Sequence, residues 1–417
     1  MKILQISTGF DIGFNGGITN YVRNISDALV AAGHDVTVLY SKDRGLEKNY
    51  KFKTIAVNPK LEPLHLSSVI SNSDIEKLEK IVINEKPDVI HVHMMIDLPI
   101  KILGMFKKHA KLVISLHDYS HICNKIVLIK PNGSNCVDSN ENKDCNYCIQ
   151  SQETIDNKYW KVINREFKNM FFKGKFFNSK GHNERFLVGK EEFKRADAVI
   201  AVSSRVKEIY ENAGFTNANF FVNHICNYTA EEQFRELFKN RRQIHSGEKI
   251  KFGFIGNLGI IKGAHIFLEL IKECFHEFHI YGTIEEVTKS KIEGLEHVFY
   301  HGKYEHKDLS NILKNIDFGL VLPIWEDNAP QVVFEFLNAG VPILGTRMGG
   351  LPDFINGNNG KLIENSTEGI AEAKRFINSD KVYNLYNSVV NRIEGTKTAK
   401  QHSTEMLELY YNILNKC

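Results

Sequence analysis

The first forty residues constrain the fold more than any other stretch of the chain. The apolar run "KILQIS" is followed by a glycine-rich loop, by a stretch with apolar side chains three and four residues apart, and by the run "VTVLY". Apolar residues at that spacing form the buried face of a helix. Gly33 follows where helices commonly end on a left-handed residue. Strand, loop, helix and strand in this order predict a parallel sheet covered by helices on both faces.

Further short β-branched runs extend this pattern, and each ends in polar residues. They are "DVIHVHM", "LVISLHD" and "AVIAVSS". The carboxyl ends of parallel strands line the ligand crevice of such a sheet. We therefore expect the polar residues there at a crevice: His91, His93, His117, Asp118 and Ser203. Because His91 and His93 are two residues apart on one strand, both side chains should leave the same face of the sheet, with His93 in the crevice wall.

A second series of strands and helices follows the polar stretch at residues 229–249. It contains "IKFGFIGNL", a helix from about Ala264, "FHIYG", "VFYHG", "FGLVLPIW", "PILGTR" and "GKLIEN". The 417 residues exceed what one hydrophobic core usually supports. We predict an α/β protein with two doubly wound parallel sheets, in domains 1–228 and 229–395, and a C-terminal helix within 396–417.

Charge and hydropathy exclude several classes of protein. Its 53 basic and 50 acidic residues give a net charge of +3, so we expect no nucleic-acid partner. No run approaches the roughly 18 apolar residues of a membrane span, and "MKILQISTGF" has no signal-peptide cleavage site. These features predict a cytoplasmic protein whose contact with a membrane is peripheral at most.

The stretch "GNLGIIKG", residues 256–263, lies between a predicted strand and a predicted helix. Glycines at such a turn let backbone amides approach a phosphate, and Lys262 adds a positive charge. Binding of a diphosphate is one interpretation. An ordinary glycine turn with a solvated lysine is the other, and the residues of this stretch alone do not separate the two.

The stretch "IWEDNAPQVVFEFLNAG", residues 324–340, carries three acids around an apolar helix. Asn328 suits a helix cap and Pro330 a first turn. Glu335 falls off the apolar face, and Asp327 precedes the helix. Acids in such places are usually solvated or make a favourable contact with the helix dipole. The alternative is that the two acids bind sugar or ribose hydroxyls while the helix-start amides face phosphate.

Together these motifs resemble those of glycosyltransferase family 4. The C-terminal ones are "GNLGIIKG", "FHIYG", "DFGLVLPIWEDNAPQVVFEFLNAGVPILGTRMGGLPDFI" and "GKLIEN"; the N-terminal ones are "GGITNYVRNISDALVAAGHDVTVL", "PDVIHVHM", "LHDY" and "ADAVIAVSS". The resemblance covers essentially the whole chain. It implies the GT-B fold, in which two Rossmann-like domains face a cleft, the first binding the acceptor and the second the nucleotide sugar. It also implies a last helix that crosses back to the first domain.

The resemblance further implies a retaining, hexosyltransferase-like activity. A sugar would pass from a UDP- or GDP-sugar to a glycan or a lipid-linked glycan, in the synthesis of cell-surface polysaccharide, and catalysis would require no cofactor. The chain lacks the Asp-X-Asp triplet that binds metal in the other major glycosyltransferase fold. Two alternatives stay open: a non-catalytic GT-B subunit that stabilises or targets a partner transferase, and an epimerase of related fold that acts on the nucleotide sugar.

Carried over position by position, the family's acid pair falls on Asp327 and Glu335. Asp327 stands where Glu is usual, with Glu326 beside it as a substitute, and His117 matches the active-site histidine that contacts the donor sugar. The basic pair for the diphosphate falls on Asn257 and Lys262, with Asn in place of the usual Arg. The other implied donor-binding residues are those of the first glycine loop and of the helix start: Gly16, Gly17, Asn328, Ala329, Pro330 and Gln331.

Four cysteines follow the "LHDY" motif in a polar loop: Cys123, Cys136, Cys145 and Cys148. They fit a structural tetrahedral zinc site that pins the loop. Four reduced thiols fit the same spacing, and a catalytic metal is not expected.

Residues 157–195 interleave aromatic side chains with eleven Lys or Arg and only four Glu. Such a segment can lie on an anionic membrane that carries a lipid-linked acceptor. The alternative is a pair of helices whose aromatic side chains fill the core and whose lysines stay solvated.

Overall fold

The computed structural model describes residues 1–8, 10, 16–41, 50–57, 72–95, 98, 100–123, 126–130, 133–137, 180–231, 236–237, 239, 241–392 and 395–416. The chain divides into two compact units. The first contains Met1–Val202, Val206–Asn223 and Met406–Cys417, and the second contains Ser203–Arg205 and His224–Glu405. The predicted domain limits, 1–228, 229–395 and 396–417, stay a prediction.

The first unit is built on a parallel sheet. Its strands are β1 (Lys2–Thr8), β2 (Asp35–Ser41), β3 (Lys53–Val57), β4 (Val89–Val92), β5 (Lys111–Leu116), β6 (Ala198–Ala201) and β7 (Phe220–Val222). Within the described residues they lie in the order β3-β2-β1-β4-β5-β6-β7, and every pair is parallel. The helices are α1 (Gly17–Ala31), α2 (Asn72–Glu85), α3 (Ile102–His109), α4 (Lys180–Arg195) and α5 (Ser204–Asn212).

The sequence pattern explains the centre of this sheet better than its edges. Strands β4 and β6 are buried at every position, and α1 buries the predicted apolar face that includes Tyr21, Ile25 and Leu29. Edge strands β3 and β7 were not predicted, because they are short and mostly half-buried and so lack the apolar pattern of a central strand.

The second unit repeats the plan. Its strands are β8 (Lys251–Leu258), β9 (Glu277–Ile284), β10 (Val298–Gly302), β11 (Phe318–Val321), β12 (Ile343–Thr346) and β13 (Gly360–Ile363). In the part of this unit that the structure describes, they form one sheet in the order β10-β9-β8-β11-β12-β13. Helices are α6 (Ala264–Leu270), α7 (Glu286–Ile292), α8 (Leu309–Lys314), α9 (Gln331–Asn338), α10 (Leu351–Phe354), α11 (Thr367–Ile377), α12 (Asp380–Val390) and α13 (Ala399–Asn415).

Helices pack on both faces of this second sheet. One core layer contains Phe252, Phe278 and Phe318 with the buried side of α6 and α11. The other contains Ile343 with Val333 and other buried residues of α8 and α9. The prediction of two doubly wound parallel sheets is therefore confirmed.

The strand order reverses direction between β1 and β4 in the first sheet and between β8 and β11 in the second. In open parallel sheets, ligands bind outside the carboxyl ends of the strands at such a switch point. The loops that follow β8 and β11 hold Lys262, Glu326 and Asp327, and His93 and His117 follow β4 and β5. Among the described residues, no helix combines the length and the apolar composition needed to cross a bilayer.

Candidate functional site

The loop between β11 and α9 holds two buried carboxylates side by side. The Glu326 side chain is 6% exposed and pairs with Arg205, whose Nη2 lies 2.9 Å from Oε1 and whose Nε donates to Oε2 over 3.1 Å. The same Oε2 accepts from the backbone N–H of Gly349, at 3.2 Å. A guanidinium in this two-bond geometry holds a carboxylate strongly and in one orientation. Both oxygens of Glu326 are thus engaged within the unit.

We expect Arg205→Met to destabilise the protein, because it leaves the buried Glu326 carboxylate without its cation. Breaking one side of such a pair costs roughly 3 kcal/mol, which urea unfolding measures. The double variant Arg205→Met/Glu326→Leu should recover most of this loss. As a control, Lys272→Met removes an exposed pair with Glu269 and should leave the unfolding curve unchanged. A double variant as unstable as Arg205→Met would contradict the ion-pair explanation.

Asp327 forms the second ion pair of the loop. Its Oδ2 lies 2.5 Å from Lys262 Nζ, with side-chain exposures of 11% for the acid and 35% for the base. The Lys262 ammonium also lies 5.4 Å from the centroid of the Trp325 ring. The two loops are tied together because the Ile324 N–H donates to the carbonyl of Ile261, at 3.0 Å. The structure thus brings together two residues to which the family resemblance gives different parts of a donor.

Two glycines allow this close packing. Gly263 has φ +80°, and a Cβ there would lie 2.0 Å from the carbonyl oxygen of Leu322. Gly349 has φ +55°, and a Cβ there would lie 2.1 Å from the carbonyl oxygen of Asp327. That oxygen accepts from the Gly350 N–H at 2.8 Å. The loop after β12 therefore fixes the backbone from which the Asp327 side chain reaches Lys262.

The start of α9 differs from the prediction. The sequence predicts Asn328 as the cap, but Pro330 is the residue before the helix, and no side chain caps it. The physical reason is that the glycine loop holds the backbone at Asp327, so Asn328 lies before the helix and is buried at 5% exposure. Within the described residues, Asn328 Oδ1 has no hydrogen-bond partner.

Glu335 lies on the second turn of α9, off the apolar face as predicted, and beside Tyr228 and Tyr304. Burial raises the pKa of Glu335 to about 7, and the neighbouring Tyr228 hydroxyl opposes the shift. Burial also raises the pKa of both tyrosines, and the Glu335 carboxylate adds to the effect. The carboxyl group therefore changes its protonation state near neutral pH.

This pKa predicts how stability depends on pH. Because Glu335 is raised from 4.5 to about 7, the folded chain binds more protons than the unfolded chain between these values. The free energy of unfolding from this group therefore falls as pH rises through that window. Glu335→Gln keeps the neutral form, so its thermal midpoint relative to wild type should increase from about pH 5 to pH 8. An offset that stays constant with pH would contradict the shift.

The other donor-binding residues implied for this unit lie around the same loops. Asn257 is exposed on β8, and its Oδ1 accepts from the Thr283 hydroxyl at 3.0 Å. Gln331 Oε1 accepts from Asn227 Nδ2 at 2.5 Å. Between Asn328 and the start of α9, Ala329 is half-buried and Pro330 is buried.

The first unit positions the remaining predicted residues. Gly16 precedes α1 with an extended backbone and Gly17 is its first residue. His117 directly follows β5, and its Nε2 lies 3.1 Å from Nδ1 of His93. Its ring centroid lies 4.7 Å from that of Tyr21 on α1.

The prediction that His91 and His93 leave the same face is confirmed, because their ring centroids are 4.0 Å apart. Both are buried, at 0% and 2% exposure. Of the other residues predicted at strand ends, Ser203 is buried and Asp118 is half-buried.

The cysteine prediction and most of the basic aromatic segment lie outside the described residues. Cys123 and Cys136 are half-buried, but Cys145 and Cys148 are not described. Within the described ranges, no group of three or more His, Cys, Asp or Glu side chains could hold a metal ion. Residues 157–179 are likewise not described, and 180–195 form α4.

Sequence reasoning missed several residues that shape the site. Arg205 is 121 positions from Glu326, too far for any local pattern to pair them. Gly349 and Gly350 had a visible signal, a glycine pair two residues beyond the strand "PILGT". Tyr228 had none, since it lies in a short turn outside the regular pattern.

Comparison with known protein families gives two matches. A model of Glycosyltransferase Family 4 matches residues 15–224, which is half of the 417-residue chain. A model of Glycosyl transferases group 1 matches residues 249–380. None of the curated proteins searched matches the chain.

Solved structures share the architecture over the full length. HepE of Anabaena, in complex with UDP, is 15% identical with a TM-score of 0.65, over 99% of this chain and 100% of that one. Sucrose-phosphate synthase from Thermosynechococcus elongatus is 16% identical with a TM-score of 0.66, over 100% of both chains. The lipopolysaccharide outer core galactosyltransferase WaaB, in its apo form, is 14% identical with a TM-score of 0.62, over 99% of both chains.

At these identities the structural likeness shows the fold, which is GT-B. The family match shows more, because it spans half of the chain and includes Gly16, Gly17 and the loops after β4 and β5. The chain therefore belongs to glycosyltransferase family 4.

Proposed function

We propose that this glycosyltransferase moves a sugar from a nucleotide-sugar donor to a glycan or lipid-linked glycan, with retention of the anomeric configuration. The observation that carries the proposal is the Lys262–Asp327 pair, 2.5 Å apart, beside the start of α9 at the switch point of the second sheet. HepE of Anabaena has been solved with UDP and with UDP-glucose, which supports a UDP-sugar as the donor. A GDP-sugar is the alternative donor that we propose.

In the donor complex, Lys262 and the first amides of α9 would hold the diphosphate. Lys262 is 35% exposed, and a helix start carries partial positive charge. Because Lys262 is paired with Asp327 before the donor arrives, it would share its ammonium between carboxylate and phosphate. Asp327 would then contact the donor sugar, Glu335 the ribose, and Asn257 would offer a hydrogen bond without charge.

Glu326 fits a different task from Asp327. Its two oxygens are taken by Arg205 and by the Gly349 N–H. We assign Glu326 to holding the loop in place, so that Asp327 faces the donor. In the first unit, His117 would contact the sugar, and Gly16 and Gly17 would let backbone amides approach the ligands.

The proposed chemical step is an attack on the same face as the leaving group. The bond from the anomeric carbon to the diphosphate breaks, the acceptor oxygen bonds to that carbon, and the acceptor proton passes to the leaving phosphate oxygen. The charge that develops on the diphosphate would be balanced by Lys262 and the α9 amides, so the enzyme contributes mainly position and electrostatics.

Two features support a proposal for the acceptor and the cellular role. WaaB, which shares the fold, is by its title a lipopolysaccharide outer core galactosyltransferase. The basic and aromatic residues of 157–195 would suit peripheral contact with an anionic membrane that presents a lipid-linked acceptor. We therefore propose synthesis of cell-surface polysaccharide on the cytoplasmic side of a membrane.

A donor screen tests the proposal. The protein is mixed with UDP- and GDP-sugars, thermal shift identifies those that bind, and each hit is assayed for turnover with and without a glycan acceptor. A transferase should convert the donor only when an acceptor, or slowly water, takes the sugar. A new nucleotide sugar formed from donor alone would indicate the epimerase, and no binding at millimolar donor would indicate the non-catalytic subunit.

A further inference from the structure

A buried chain of polar side chains runs behind His117 through the core of the first unit. His117 Nε2 lies 3.1 Å from His93 Nδ1, and His93 Nε2 lies 2.5 Å from Gln5 Oε1. Gln5 and His93 are 0% and 2% exposed. Polar groups buried at this depth are costly unless they are hydrogen-bonded. Neither residue is needed to form strands β1 and β4, so their polarity needs another explanation.

Because the Gln5 amide oxygen faces His93, the donors and acceptors of this series follow in one direction. An amide oxygen accepts but does not donate, so the His93 Nε2–H donates to Gln5 Oε1. A neutral His93 then carries its lone pair on Nδ1. The His117 Nε2–H must therefore donate to His93 Nδ1, and the lone pair of a neutral His117 lies on Nδ1.

A second branch of polar side chains lies beside the Gln5 amide. Burial raises the pKa of Tyr410, and the nearby Gln5 side chain lowers it; within the described residues, Gln5 Nε2 itself has no hydrogen-bond partner. The Tyr410 hydroxyl lies 2.6 Å from His91 Nδ1, and His91 Nε2 lies 2.7 Å from Ser115 Oγ. The Gln5 amide thus presents its oxygen to His93, and the second branch runs from Tyr410 through His91 to Ser115.

We propose that Gln5 and His93 are positioning residues that hold His117 as the tautomer with its proton on Nε2. His117 then presents Nδ1 as a hydrogen-bond acceptor to a hydroxyl of the bound sugar, rather than as a donor. This inference rests on the proposed function for its ligand, but the tautomer itself is independent of any activity. It predicts a preference for donors that place a hydroxyl, and not a phosphate or carboxylate, against His117.

Nitrogen NMR on ¹⁵N-histidine-labelled protein tests the tautomer. Spectra are taken near pH 8, above the ordinary histidine pKa of about 6.5, and the His117 signals are assigned by their loss in His117→Gln. Wild type should show a protonated Nε2 and a bare Nδ1. His93→Leu and Gln5→Met should shift His117 toward a mixture of tautomers. Ser115→Ala, which alters only the His91 branch, should leave the His117 signals in place.

A conservative variant separates positioning from packing. His93→Asn can offer an amide oxygen near the place of Nδ1 and should keep the Nε2–H form of His117. With the donor that the screen identifies, His93→Leu should lower kcat/KM by roughly 10-fold, the scale of one hydrogen bond, and His93→Asn should recover most of it. Gln5→Met carries the test if His93→Leu does not fold.

A wild-type His117 with its proton on Nδ1 would overturn the inference. So would His117 signals that are unchanged in both His93→Leu and Gln5→Met. An Nε2–H ring in a protein that transfers no sugar from any donor would instead overturn the transferase proposal and leave the tautomer standing.

Discussion

We expect Lys262→Met to weaken binding of the nucleoside diphosphate by about 100-fold, because a charge-assisted hydrogen bond to phosphate is lost. Lys262 is the cation of the loop after β8. Asn257 stands where the family usually has Arg, and its side chain supplies no charge. Calorimetry with the donor hit and with its free diphosphate measures the loss. Transfer should fall at least as far, since the same charge would stabilise the leaving group.

The controls separate the lost cation from damage to the fold. Lys262→Met alone leaves the Asp327 carboxylate, 11% exposed, without its partner. The double variant Lys262→Met/Asp327→Asn removes this unpaired charge and should recover stability but not diphosphate binding. Lys291→Met, at an exposed position of α7, should bind as wild type does. Unchanged diphosphate binding by the double variant would show that Lys262 does not hold the diphosphate.

The second large effect is expected for Gly349→Ala. The new Cβ would lie 2.1 Å from the carbonyl oxygen and 2.5 Å from the amide nitrogen of Asp327, at a φ of +55°. Neither backbone atom can move without shifting the Asp327 side chain away from Lys262. We expect a loss of more than about 3 kcal/mol in the free energy of unfolding and a transfer rate reduced about 100-fold or more.

A second glycine isolates the cause. Gly294 has φ +80°, but a Cβ there would meet nothing within 4 Å. Gly294→Ala therefore adds backbone strain of about 1–2 kcal/mol without a clash and should keep full activity. If Gly349→Ala and Gly294→Ala lose the same stability and both stay active, the contact with Asp327 does not matter.

The sequence carried most of the architecture because the central strands are buried on both faces. Strands such as β4 and β6 had to be short apolar runs, and α1 had to show a helical period on its buried side. Edge strands β3 and β7 were not predicted, because partly exposed strands do not need a continuous run of apolar residues. The helix from Ala264 was predicted to start where it does, since the turn before it contains Gly263.

The site was less predictable, because tertiary contacts decide it. In the family resemblance, the spacing to Glu335 selects Asp327 as the first acid. No pattern in the neighbouring sequence shows that Arg205 pairs with both oxygens of the Glu326 carboxylate. The cap at Asn328 was wrong for a similar reason. The preference for Asn at a helix cap holds where the backbone before the helix can adopt the capping conformation. Here Gly349 and Gly350 pack against the backbone of Asp327 and fix it just before Asn328.

The separate roles of the three acids lead to one decisive comparison. Glu335→Ala removes the acid assigned to the donor ribose while leaving the ion pairs of Glu326 and Asp327 intact. The measurement is release of nucleoside diphosphate from the donor hit in the presence of acceptor, by wild type and by Glu335→Ala at matched folded fractions. We predict turnover by wild type and none above background for the variant; wild-type turnover by Glu335→Ala would contradict the assignment of this site as the donor site.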